Sequence, residues 1–292
     1  MNRAGKSELM KLRTTNLWWL ALLGVVAATV LALLYNALVA HGTLAHQDWL
    51  PADATPEQER QLRAEESLRY AEAHSAAGLA RLAAGLYTSG QFLGLMIVML
   101  VGVILVTGEY AQRTAAITFL ATPRRGSVIV AKLVAAVACG VVAWACTAAV
   151  SIPAGVFVLR GEHVPDSLGR GDVTRSLALN LLAFAVWAVL GVGLGALFRS
   201  QLAAVVTGTV LYLVGSNVAM VVLEVVRRFL IKEDWVETAQ VVIPAIASQI
   251  MTTPGRLSPH APEPWAGAAV LLGYGIIAST VGIMFIQKRD IS

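Results

Sequence analysis

The chain is short of charge and of cysteine. Charged residues fill 14% of its 292 positions, against about 25% in soluble domains, while 57% of its residues are hydrophobic. That balance excludes an ordinary soluble enzyme and leaves a membrane protein. Its two cysteines, Cys139 and Cys146, share one apolar run. On a helix they stand about 10 Å apart by rise, too far for a disulfide. With no cysteine in a loop, there is neither a disulfide framework nor a cysteine metal cluster. His41, His46, His74, His163 and His260 lack i,i+4 pairing and clustered carboxylates, which leaves a metalloenzyme without support. No continuous basic block is present, so nucleic acid is not an expected partner, and the net charge of +4 reads as topology.

Other signatures are missing as well. Gly5-Lys6-Ser7 has no glycine five positions earlier and no strand before it, so it is not a phosphate-binding loop. Gly191, Gly193 and Gly195 sit inside an apolar run, where small residues let helices approach closely. The alternation of a membrane β-barrel is absent.

What is present is six long apolar runs, near residues 17–40, 89–107, 129–159, 174–198, 202–225 and 265–286. About 20 residues at ~1.5 Å rise cross a ~30 Å hydrocarbon core. Backbone in lipid must satisfy its own hydrogen bonds, so each run is expected to be helical. The first run is too long for a signal-peptide core and reads as an uncleaved span. The fold class is therefore an all-α membrane protein with six transmembrane helices and a single transmembrane domain over residues 1–292. With the N-terminus inside, the short connections and both termini carry 11 basic residues, Lys132 included, against Glu8, Glu109 and Asp290. The other side holds as many basic residues in about twice the length, with more acidic ones. Lys and Arg collect on the cytoplasmic side, so both termini are expected there, in a multi-pass plasma-membrane protein.

Two connections on the outer side are long, 41–88 and 226–264. In the first, Thr55-Pro56-Glu57-Gln58 predicts a helix start with a capping box and a proline at the first helical position. Ala64, Leu68, Ala71, Ser75, Leu79, Leu82 and Leu86 then recur at helical spacing, a stripe that requires a partner surface. In the second, 239–251 is apolar but too short to span and contains Pro244, which predicts a broken, re-entrant or interfacial helix. On the inner side, residues 1–16 read as a basic amphipathic surface helix.

No ionisable residue lies near the middle of a span; Glu224 and Lys132 are toward ends. Proton and ion pathways use such groups. Any transport therefore draws on energy from another chain. The candidate handle is the cytoplasmic link at 108–128, Gly108-Glu109-Tyr110-Ala111-Gln112-Arg113-Thr114 through Phe119-Leu120-Ala121-Thr122-Pro123-Arg124-Arg125-Gly126. It reads as a short helix and turn along the membrane surface.

These elements, with Glu8-Leu9-x-Lys11-Leu12-Arg13-Thr14-Thr15 before the first span, Ala131-Lys132-Leu133 and a terminal Arg289-Asp290, resemble the type-2 permease family of ATP-binding-cassette (ABC) exporters, in its actinobacterial form. Ala111-Gln112 departs from the basic pair expected there, and the first outer segment is longer than is common. The resemblance implies a type V exporter-like permease fold. It also implies a pathway for an amphiphilic or hydrophobic compound, such as a drug, natural product or lipid. Two copies of a separate ATPase subunit would carry ATP and Mg, with no cofactor in this chain, and a second permease copy or a similar permease would complete the path. By the same resemblance Glu109, Tyr110, Arg113, Thr114, Phe119, Leu120, Arg124 and Arg125 would couple to the ATPase. Lys6, Glu8, Lys11 and Arg13 would lie on the N-terminal interface helix. Substrate-binding residues are not implied. The competing expectations are an ATP-independent secondary carrier and a non-transporting sensor or assembly subunit.

Overall fold

A computed structural model describes residues 16–45, 51, 54–111, 125–165, 168–198, 200–230, 238–255 and 261–288. The described residues are helical, without strands. Among the described residues six helices are long and apolar enough to cross a membrane, as the hydrocarbon requirement for internal hydrogen bonding demands.

The first span is α1, Leu17–Leu44. Two helices follow, α2 at Pro56–His74 and α3 at Ala76–Tyr87, and then α4, Gln91–Ala111. The third span is α5, Arg125–Gly161, with Pro153 inside it. The fourth is α6, Gly171–Leu197. The fifth combines α7, Gln201–Val210, a π-helical turn at Leu211–Gly215, and α8, Ser216–Val225. After a further π turn at Val226–Leu230 and a 3₁₀ turn at Gln240–Val242 come α9, Pro244–Thr252, and the sixth span α10, Pro264–Lys288.

The capping box starts α2 as its residues require. The Gln58 amide donates to Thr55 Oγ1 at 3.4 Å and the Thr55 amide donates to Gln58 Oε1 at 2.9 Å. The apolar stripe read through α2 and α3 is not continuous. Ser75 ends α2 and caps α3, accepting from the Gly78 amide at 3.0 Å. Leu68 before the corner is 72% exposed, whereas Leu86 after it is buried. The helix Ala76–Tyr87, assigned from sequence to an outer connection, packs against α1, α5 and α6. It extends the second span to Ala76–Glu109.

That second span is broken at residues 88–90. Gly90 adopts φ +86°, and a Cβ there would meet the backbone of Thr29 on α1. Only glycine combines that conformation with that proximity. Neighbouring spans satisfy polar groups exposed by the break. Ser151 Oγ donates to the Tyr87 carbonyl at 2.6 Å, and Asn36 Nδ2 donates to Ser89 Oγ at 2.9 Å. A helix end buried in an apolar bundle needs such partners.

The core centres on α4 against α6, the most extensive helix pair. Glycines permit it, because a Cβ at Gly102, Gly191 or Gly195 would collide with backbone of the facing helix. The fifth span is the least enclosed, with 11% of its apolar window buried. Leu202, Leu211, Val221 and Phe229 point outward.

At the bundle end opposite Glu109, His41 Nδ1 lies 2.8 Å from Glu162 Oε1. The His41 side chain is 70% exposed, and exposed pairs contribute ~0–1 kcal/mol. His41→Ala is thus expected to move the thermal midpoint by no more than a degree or two, as differential scanning fluorimetry would read.

Candidate functional site

Three features concentrate the polar chemistry of the described bundle. The first is a hydrogen-bonded node just after the break in the second span. Gln91 opens α4 and is 8% exposed. Its Nε2 donates to the Ser248 carbonyl at 2.8 Å, and its Oε1 accepts from Asn180 Nδ2 at 2.8 Å and from Thr252 Oγ1 at 3.1 Å. Trp187 Nε1 donates to Ser248 Oγ at 2.8 Å, and Ser248 Oγ donates to the Pro244 carbonyl, also at 2.8 Å. The node thereby fastens α9 to α4 and α6. The helix predicted near 239–251 is indeed broken. Ile243 is extended, and Pro244 opens α9 with Ala245, Ala247, Ser248, Met251 and Thr252 buried. Proline suits the first turn of a helix, where its missing N–H costs nothing.

The second feature is a cavity of about 580 Å³ between α4, α6, the fifth span, α10 and the entry to α9. Met99, Trp187, Leu194, Tyr212, Ser216 and Tyr274 are among its lining residues, and among the described residues no Asp, Glu, Lys, Arg or His lines it. Its conspicuous donors are committed elsewhere. Tyr212 OH donates to the Phe92 carbonyl at 2.6 Å and Tyr274 OH to the Val242 carbonyl at 3.0 Å. The Trp187 and Tyr212 rings meet edge-on with centroids 4.8 Å apart. A wall of this kind binds by apolar contact and shape. The π turn at Leu211–Gly215 forms part of the lining, and such turns occur often at functional sites.

The third feature lies at the other end of the second span. Glu109 and Lys132 are both buried, at 8% and 3% exposure. Lys132 Nζ sits 3.0 Å from Glu109 Oε1 and donates to the Leu105 carbonyl at 2.8 Å. The Glu109 carboxylate is turned into the bundle, onto the third span.

The other expected coupling residues are less fully described. Tyr110 and Arg125 have placed backbone only, at the ends of α4 and α5. Arg113, Thr114, Phe119, Leu120 and Arg124 lie outside the described residues, as do Lys6, Glu8, Lys11 and Arg13 of the N-terminal segment. The sequence pattern alone did not bring Gln91, Ser248 and Thr252 together. Their only signal was a polar residue at the edge of an apolar run. Among the described residues no group of His, Cys, Asp and Glu is placed to hold a metal ion, and both cysteines are unbridged.

Compared with known proteins, the chain matches no family model and shows no significant similarity to any curated protein.

Proposed function

We propose that the chain is the membrane subunit of an ATP-driven ABC exporter of the type-2 permease kind. In this reading it forms the path for an amphiphilic or hydrophobic compound and is not itself an enzyme. The observation that carries the reading is the cavity of about 580 Å³ with no Asp, Glu, Lys, Arg or His among its described lining residues. Its size falls within the ~300–1,000 Å³ usual for small-molecule sites. Its walls suit an apolar solute, and no side chain described in them carries charge at neutral pH to couple a proton or ion gradient. The work must then come from a separate ATPase, two copies of which would bind ATP and Mg beneath a pair of permease subunits.

On this reading both termini face the cytoplasm of a plasma-membrane protein, and the connection at 112–124 docks on the ATPase. ATP closes the ATPase pair, the connection moves, and the spans alternate between inward and outward access. The weakly enclosed fifth, sixth and first spans, with 11%, 17% and 22% of their windows buried, supply apolar surface for a second permease copy as well as for lipid.

The test uses Ala219→Trp, since Ala219 lines the cavity on the fifth span. Filling the site is expected to reduce ATP-driven flux of a fluorescent phospholipid in vesicles by at least about tenfold, the equivalent of ~1.4 kcal/mol. ATPase binding should persist. Undiminished flux through the filled cavity would move the path elsewhere.

A further inference from the structure

We infer that Glu109 and Lys132 form a positioning joint that locks the second and third spans together beside the connection at 112–124, so that a displacement of that connection moves both spans as one body. The inference rests on the exporter reading above.

The pair is placed for that task. Glu109 is two residues from the end of α4, and Lys132 is seven residues into α5, about 3 Å and about 10 Å along their helices. One ion pair thus fastens both helices close to where the connection leaves and returns. Lys132 ties the joint a second time through the Leu105 carbonyl at 2.8 Å. Leu105, Val106, Val128 and Ile129 are buried nearby in sequence on the same helix ends, and the paired side chains are only 9% and 4% exposed.

Stability alone does not account for this arrangement. Desolvating two charges offsets most of their attraction, and an apolar or neutral pair of similar shape holds a fold equally well. An apolar contact, however, lets helices slide, whereas an ion pair with a second hydrogen bond fixes register. Without the joint, the connection could move while the ends of the second and third spans slip past one another, and the displacement would not reach the break in the second span at residues 88–90.

Stability and positioning separate in one set of variants. Glu109→Gln or Lys132→Met alone leaves a buried charge or polar group without its partner and should lower the thermal midpoint. The double variant E109Q/K132M removes both charges with little change of shape and should recover most of the midpoint, because a buried neutral amide costs less to leave unpaired than a charge. The functional readout is hydrogen exchange in the permease purified with its ATPase, with and without a non-hydrolysable ATP analogue. In the wild type, nucleotide should alter exchange at both 112–124 and 88–94. In E109Q/K132M the response at 112–124 should remain and that at 88–94 should disappear.

A double variant in which 88–94 still responds overturns the joint while leaving the exporter reading intact. A wild type in which 112–124 responds and 88–94 does not has the same meaning, and needs no variant to fold. A wild type that retains no ATPase removes the exporter reading and the joint together.

Discussion

Gly191→Leu is expected to prevent the bundle from assembling. The α4–α6 pair is the most extensive in the structure, and its closest approach has glycine on both sides. A Cβ at Gly191 would overlap the Met99 carbonyl, while one at Gly102 would fall 2.5 Å from the Ala188 carbonyl. The obstacle is backbone, so no rotamer change relieves it, and the helices must separate along their length. Overpacking in a dense core costs ~1–3 kcal/mol where side chains can shift. Here the cost should exceed that range and consume much of the ~5–15 kcal/mol by which a fold is stable. Gly273 provides the control, because a Cβ there meets nothing within 4 Å. Gly273→Leu should give monodisperse protein with a wild-type midpoint, and Gly191→Leu should give aggregate or a midpoint many degrees lower. Equal behaviour of the two in size-exclusion chromatography would show that α4 and α6 do not meet at this glycine.

Gln91→Leu is expected to cost ~2–3 kcal/mol and to loosen α9. The substitution removes three hydrogen bonds together and leaves Asn180, 3% exposed, without the acceptor its Nδ2 uses. A buried orphan polar group costs ~1–3 kcal/mol, although interhelical hydrogen bonds measured in a membrane protein average nearer ~0.6. Trp187 still holds Ser248, so α9 should become mobile and not detach. Hydrogen exchange at 244–252 should accelerate while that of α6 stays near wild type. Asn180→Leu on top of Gln91→Leu should cost less than the sum of the two, since the partners share one bond. Additive costs would mean that the node is not a connected network.

Much of the architecture was legible from composition. Hydrocarbon thickness and the need for internal hydrogen bonding decide where apolar runs become spans, and the described residues include six such helices. The start of α2 was legible because its cap is local, written in Thr55, Pro56 and Gln58. The helix Ala76–Tyr87 was harder to read. Its alanines and Arg81 look amphipathic, and only contacts with α1, α5 and α6 reveal it as the first half of a broken span. Gln91 could not be singled out from the sequence because its partners lie 89 and 157 positions away. Glu109 was read in the cytoplasmic link and Lys132 toward the end of a run, where a charge can snorkel to water, and their pairing depends on how two helices are placed side by side. Local chemistry could be read directly; what depended on the packing of distant segments could not.

The energy source is the central question, and proteoliposomes answer it directly. The purified chain, with the ATPase it retains from its native membrane, would be reconstituted with a fluorescent phospholipid and assayed for flux under ATP or under an imposed proton or sodium gradient. An exporter subunit gives flux that requires both ATP and the ATPase and persists when ionophores collapse the gradients. Flux by the chain alone, driven by a gradient and indifferent to ATP, would contradict the proposed function.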